Sequence, residues 1–236
     1  MKKLTVISLS LILVGILLLM FACAKQEDEA TTSSGSSQSY SVSGYVQKGP
    51  YVQGTEITVR ELDSSMTPSG RTFTGTIDDN TGTFSAKGDL SYSIVELSAD
   101  GYYFNEVSGS LSSAKLTLSA LSDLSDSTSV NVNLMTHLEK KRVEYLIGTG
   151  LSFSAAKSQA QGEILKMFNI DNVTLGNSET LDISKSGDGN ATLLAISALL
   201  QSDKTEAELT ELLSTINTDI RTDGTLNSST TKATLV

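Results

Sequence analysis

One histidine, His137, and one cysteine, Cys23, bound the chemistry open to this chain. A His cluster or a cysteine pair cannot form within one copy, which removes the usual zinc sites and any internal disulfide. His137 stands beside Leu138 at the start of a predicted helix, where an imidazole is ordinarily a surface or partly packed residue. Carboxylates do come in pairs, Asp78/Asp79, Asp123/Asp126 and Glu206/Glu208. Glycoside hydrolysis needs two carboxyls facing each other across a cleft, one of them kept protonated, and closeness along the chain supplies neither. Two oxygen-rich strings have the spacing of calcium loops. Asp182-x-Ser184-x-Ser186-Gly187-Asp188-x-Asn190 offers oxygens at alternate positions but has Leu193 where the bidentate acid belongs. Asp219-x-Arg221-x-Asp223-Gly224 puts a cation among its ligands. The metal candidates are therefore Asp182, Ser184, Ser186, Asp188 and Asn190. Tyr102-Tyr103-Phe104 is the densest aromatic patch; on a strand, Tyr102 and Phe104 share one face and Tyr103 takes the other. One face belongs in a core, and Tyr102 and Tyr103 are the candidates for binding. No Gly-x-Ser-x-Gly, phosphate loop or dinucleotide fingerprint occurs, so no catalytic residue is assigned and the expectation is a protein that is not an enzyme.

Cys23 has another use. Lys2 and Lys3 precede a run from Leu11 to Ala22 without a charge, and the run stops at the cysteine. A basic start, an apolar centre and a small residue before a cysteine is the layout of a signal peptide, residues 1–22, whose product is acylated on Cys23. Met20-Phe21-Ala22-Cys23 resembles a bacterial lipobox, and Lys25-Gln26-Glu27-Asp28-Glu29 resembles the tag that sends Bacteroidetes-type lipoproteins to the outer face. The resemblance implies an outer-membrane lipoprotein of the cell envelope, exposed at the surface. No cofactor and no metal is expected beyond the lipid on Cys23; calcium is the one ion for which the spacing of the two loops invites a test. A single acyl chain binds membranes only marginally, so two or three chains are expected there. Removing residues 1–22 takes Lys2 and Lys3 from the 17 basic residues and none of the 27 acidic ones, leaving a formal charge of −12. Such a body repels phosphate backbones, which excludes nucleic acid as a partner.

Residues 23–40 are acidic, then rich in Ser, Thr and Gly; they cannot bury enough surface to order themselves and read as a tether. Between 41 and 122 short β-rich runs recur between turn signals, with alternation at Ile57/Val59 and Leu116/Leu118. The runs are 41–47, 55–62, 71–77, 82–87, 90–98, 102–107 and 115–121, a spacing that predicts an antiparallel sandwich or barrel. From 130 onward the period is helical. Thr136-x-x-Glu139 and Thr205-x-x-Glu208 have capping-box form, and Leu209, Leu212, Leu213 and Ile216 make a core-facing stripe. Ser152 or Ser154 caps a helix reaching Phe168, and 191–200, apolar nearly all round, reads as an enclosed central helix. Residues 130–236 are thus predicted to be a small helical bundle, truncated at its end, because Thr230 to Val236 reads as the start of a further helix.

The pairs Gly44/Val46, Gly54/Ile57, Gly82/Phe84 and Gly101/Tyr102 follow the order of the glycine-marked strands in carboxypeptidase regulatory-like, transthyretin-like sandwiches, which residues 41–122 resemble. With the later stretches NVNLMTHLEKKRVEYL and SGDGNATLLAISALLQ, the whole order resembles a group of Bacteroidetes-type surface lipoproteins without an established activity. The fold expected is α+β: an antiparallel β-sandwich (transthyretin/Ig-like, about seven strands) followed by a small α-helical bundle. Modules of the resembled family are mostly accessory. The resemblance therefore implies a non-enzymatic, lipid-anchored binding or scaffolding module that meets the membrane through its lipid and an unidentified protein or glycan through its body. The alternatives are a glycan- or nutrient-binding lipoprotein of a transport complex and a calcium-dependent adhesion module. Absence of tryptophan counts against a dedicated sugar-stacking platform, although tyrosine can substitute.

Overall fold

Alternation of apolar and polar residues builds most of the strands. In β2 (Glu56–Leu62) Ile57 and Val59 are buried while Glu56 and Arg60 face solvent, and in β5 (Ile94–Gly101) Val95, Leu97 and Ala99 point inward. The computed structural model describes residues 37–171, 173 and 175–235. The signal 1–22, Cys23 and most of the tether lie outside them. The remaining strands are β1 (Gln38–Gln47), β3 (Pro68–Ile77), β4 (Thr83–Leu90), β6 (Phe104–Asn105), β7 (Ser110–Leu111), β8 (Leu116–Asp123) and β9 (Val132–Asn133). Seven of them form one sheet in the order β8-β5-β2-β3-β4-β1-β9, antiparallel at every step except β1 beside β9. The two outermost strands of that order, β8 and β9, also approach each other, so the sheet is nearly closed. A two-stranded ribbon, β6-β7, stands apart from it.

Helices follow the sheet: α1 (Leu134–Gly148), α2 (Phe153–Met167), α3 (Asp188–Gln201), α4 (Glu206–Asp219) and the short α5 (Ser229–Ala233). The molecule is therefore of mixed α+β class. α1 packs along β8 and carries α2 and α4 on its other sides. For that reason β8 is buried on both faces: Leu116, Leu118 and Ala120 point inside the sheet, and Ser119 and Leu121 lie on the other face, where Thr136 of α1 donates to the Ser119 carbonyl (3.0 Å). One apolar cluster runs without a break from Val42, Phe84 and Leu97 of the sheet to Ile164, Leu193, Leu209 and Ile216 of the helices.

Four local expectations change. β1 begins at Gln38, so residues 38–40 belong to the sheet and not to a tether; Tyr40 is half-buried and packs on the core. The strand expected over 102–107 shrinks to Phe104–Asn105, because Asn105 Oδ1 accepts the amides of Val107 and Ser108 and turns the chain into the ribbon. Thr136 is not the cap of α1. Asn133 is, and its own amide donates to the Thr136 hydroxyl (2.9 Å). Helix α3 is not enclosed: Leu194 and Leu199 are exposed, and only Leu193, Ile196 and Leu200 reach the core. Two other expectations hold. Ser152 caps α2, and Thr205 with Glu208 forms a capping box on α4, whose stripe Leu209, Leu212, Leu213 and Ile216 is buried.

The strands give the body two poles. Residue 37 enters at the pole that also holds the turns 63–67, 91–93 and 124–128. The opposite pole, about 30 Å away along the ten residues of β1, gathers the loops 48–55, 78–82 and 102–115.

Candidate functional site

At the far pole the chain leaves β5, turns through Tyr102 and Tyr103, and returns by the β6-β7 ribbon to β8. Backbone bonds lock this excursion to the 48–55 loop: Val52 donates to the Tyr102 carbonyl (3.0 Å) and Phe104 to the Pro50 carbonyl (2.9 Å). Gly49 is required there, since a Cβ would overlap the Phe104 carbonyl oxygen. Alternation then splits the aromatic patch. Tyr103 is fully buried, stacks on Tyr51 with ring centroids 6.0 Å apart, and donates its hydroxyl to Gln201 Oε1 of α3 (2.8 Å). Burial pushes both phenols above their ordinary pKa. Tyr102 is 42% exposed and Phe104 47%, and Leu111, opposite Phe104 in the ribbon, is 57% exposed. Of the two binding candidates only Tyr102 presents a surface.

A buried ion pair supports the excursion from beneath. Lys48, wholly enclosed, lies 2.5 Å from Glu106 and 5.5 Å from the centre of the Tyr103 ring. Ser197 of α3 bonds to both Glu106 (2.6 Å) and the Lys48 carbonyl (2.8 Å). Desolvation lowers the Lys48 pKa, and the nearby Glu106 charge opposes that shift. Loop, ribbon and helix are thus pinned at one point, so Tyr102 stands on a rigid base.

Beside Tyr102 an open groove of about 580 Å³ lies over the start of β2 and the end of β5, with Lys115 just before β8 at its rim. Gln53, Thr55, Glu56, Thr58, Ser98, Asp100 and Lys115 line it with Tyr102. Asp100 accepts from Thr117 Oγ1 (3.0 Å) and faces Lys115 at 3.6 Å. Gly101 keeps the floor low, because a Cβ there would meet the Thr55 side chain.

Other candidates lie elsewhere. Asp182 Oδ1 accepts from Gln47 Nε2 (2.9 Å), from the Ser184 amide (2.8 Å) and from the Ser184 hydroxyl (2.7 Å). Asn190 Oδ1 accepts the Asp182 amide (2.8 Å), and its Nδ2 donates to the Ser186 carbonyl (2.9 Å). These bonds close the loop upon β1, while Ser186 and Asp188 face solvent. Burial opposes ionisation of Asp182, but the Ser184 and Gln47 donors prevail and hold its pKa below the usual range. Asp219 and Asp223 likewise close their own loop, on the amides of Asn227 and Ser228 and on that of Thr225. Among the described residues no three His, Cys, Asp or Glu side chains gather as a metal site. Asp79 and Asp123 brace turns, Glu206 accepts from Ser113 (2.6 Å), and Glu208 completes the α4 cap. His137 Nδ1 is 3.3 Å from Ser119 Oγ, and burial plus Lys140 and Lys141 depress its pKa to about 4.

Sequence reasoning missed two buried charge networks, because their members are far apart in the chain. One is Lys48–Glu106; in the other Lys157 bridges Glu139 (2.8 Å) and Glu179 (2.9 Å) while Ser178 donates to Glu139. No family model, curated protein or solved structure matches the chain. Among the described residues no helix is long and apolar enough to cross a membrane.

Proposed function

We propose that the protein is a non-enzymatic lipoprotein of the outer membrane, acylated on Cys23, whose body presents its far pole as a binding or scaffolding surface. The observation that carries this reading is polarity: the chain enters at one end of β1, while Tyr102, Phe104, Val107 and Leu111 are exposed at or beyond the other. A lipid on Cys23 would connect to the body at the entry pole, the end of β1 remote from those side chains. Large apolar side chains kept in water on a rigid base are a feature of interaction sites. Chemistry has little to work with. A Ser–His pair whose imidazole has a pKa of about 4 makes a feeble base at neutral pH, and no carboxylate bonds to that ring among the described residues.

The finer fold belongs to the same reading. β3 and β4 pair only from Gly75 to Ile77, and this short seam supports a division of the sheet into β3-β2-β5-β8 and β4-β1-β9. Two such halves face to face are a transthyretin-like sandwich, with the helices as a small bundle around α1.

Alkyne fatty-acid labelling of cells carrying the native chain or Cys23→Ala, followed by protease shaving, tests the proposal. Label on the native chain alone, with shaving that removes the body, is the expected result. A native chain that takes no label refutes it.

A further inference from the structure

We propose that the groove beside Tyr102 binds a neutral oligosaccharide; this rests on the binding-module reading and names its ligand class. A sugar ring has an apolar C–H face and a rim of hydroxyls. It therefore needs an exposed aromatic plane flanked by donors and acceptors of both kinds. The groove supplies that combination: Tyr102 as the plane, Glu56 and Asp100 as acceptors, Lys115 as donor, and the hydroxyls of Thr58 and Ser98, which both donate and accept. Stacking is strongest when the ring is held before the ligand arrives. The backbone that carries the Tyr102 ring is held by the Val52 bond to its carbonyl and by its neighbour Tyr103, buried and bonded to Gln201. Asp100 is likewise aimed in advance by Thr117 and Lys115.

Charge selects the kind of sugar. The body after residue 22 carries −12, and within the groove Glu56 and Asp100 outnumber the one lysine, Lys115, so an anionic glycan is repelled. The volume, about 580 Å³, is within the range of small-molecule sites, and the open form admits an internal stretch of a longer chain. A protein partner would instead use Phe104 and Leu111, which lie outside the groove lining.

Affinity electrophoresis of the full-length protein tests this, because an acidic chain migrates strongly while a neutral polysaccharide cast in the gel stays still. The panel is α-glucan, β-glucan, mannan, galactan and xylan, with an anionic uronan as the charged counterpart. At least one neutral polymer should retard the protein. Tyr102→Ala should weaken that retardation by about tenfold or more, Tyr102→Phe should preserve it, and Tyr92→Ala at the entry pole should leave it unchanged. No retardation by any neutral polymer overturns the proposal, as does retardation that survives Tyr102→Ala, that follows Phe104→Ser instead, or that only the uronan produces. Such a failure leaves the Cys23 labelling result intact, so the two ideas fall separately.

Discussion

Lys157, buried, and His137, half-buried, are two basic side chains that the fold treats in opposite ways. Lys157 is surrounded by carboxylates, and although desolvation works against its charge, Glu139 and Glu179 outweigh that and raise its pKa. Glu139 is itself raised, by burial first, with Lys157 pulling the other way. Lys157→Ala leaves Glu139 enclosed without a counter-charge, so urea unfolding should show a loss of about 3–5 kcal/mol. The double change Lys157→Met with Glu139→Leu should recover most of it. Among the described residues no carboxylate pairs with His137. Its neutral form is favoured in the fold, so the unfolded chain takes up a proton near 6.5 while the folded chain waits until about 4. Stability from this residue is complete above pH 6.5 and falls as the pH drops toward 4. Between pH 6.5 and 5 the loss should be about 2 kcal/mol. His137→Gln should flatten that part of a urea-midpoint profile; an unaltered slope would mean that other groups set it.

Strands and helices were legible in proportion to how local their causes are. Ile57/Val59, Leu116/Leu118 and the α4 stripe announced their buried faces, because each pattern is written within a few residues. Helix α3 misled because alanines and leucines look alike on an exposed and a buried face; Leu194 and Leu199 face solvent only because nothing packs over them among the described residues. The Tyr102/Tyr103 division was legible in the pleat, yet which of the two faced water depended on Gln201, about a hundred residues away. Glycines 44 and 162 show the same contrast. Gly44→Ala would drive a Cβ into the Val130 carbonyl where β1 meets the segment leading to β9, and chemical denaturation should show a loss of about 1–3 kcal/mol. Gly162, inside α2 with open space around it, should tolerate alanine and gain about 0.5–1 kcal/mol from reduced freedom of the unfolded chain.

At the scale of the whole molecule, sheet and helices have no separate interiors. Leu118 and Leu97 share a cluster with Leu213 and Ile216, and Tyr103 and Lys48 reach α3 through Gln201 and Ser197. A fragment ending at residue 129 would expose the outer face of β8, leave the Tyr103 hydroxyl without Gln201 and strip Ser197 from Glu106 and the Lys48 carbonyl. It should show no dispersed amide spectrum, whereas the entire chain should unfold in a single transition by both far-ultraviolet circular dichroism and tyrosine fluorescence. Two separated transitions would contradict this. The direction of β1 carries a mechanical consequence. A pull between residue 37 and a ligand held at the opposite end runs lengthwise along that strand, against the rungs from Gln38–Leu90 to Tyr45–Thr83. Those rungs are strained sideways and all at once, not opened one after another like a zip, so a tug delivered at residue 37 along β1 meets more resistance than one that peels the strand away.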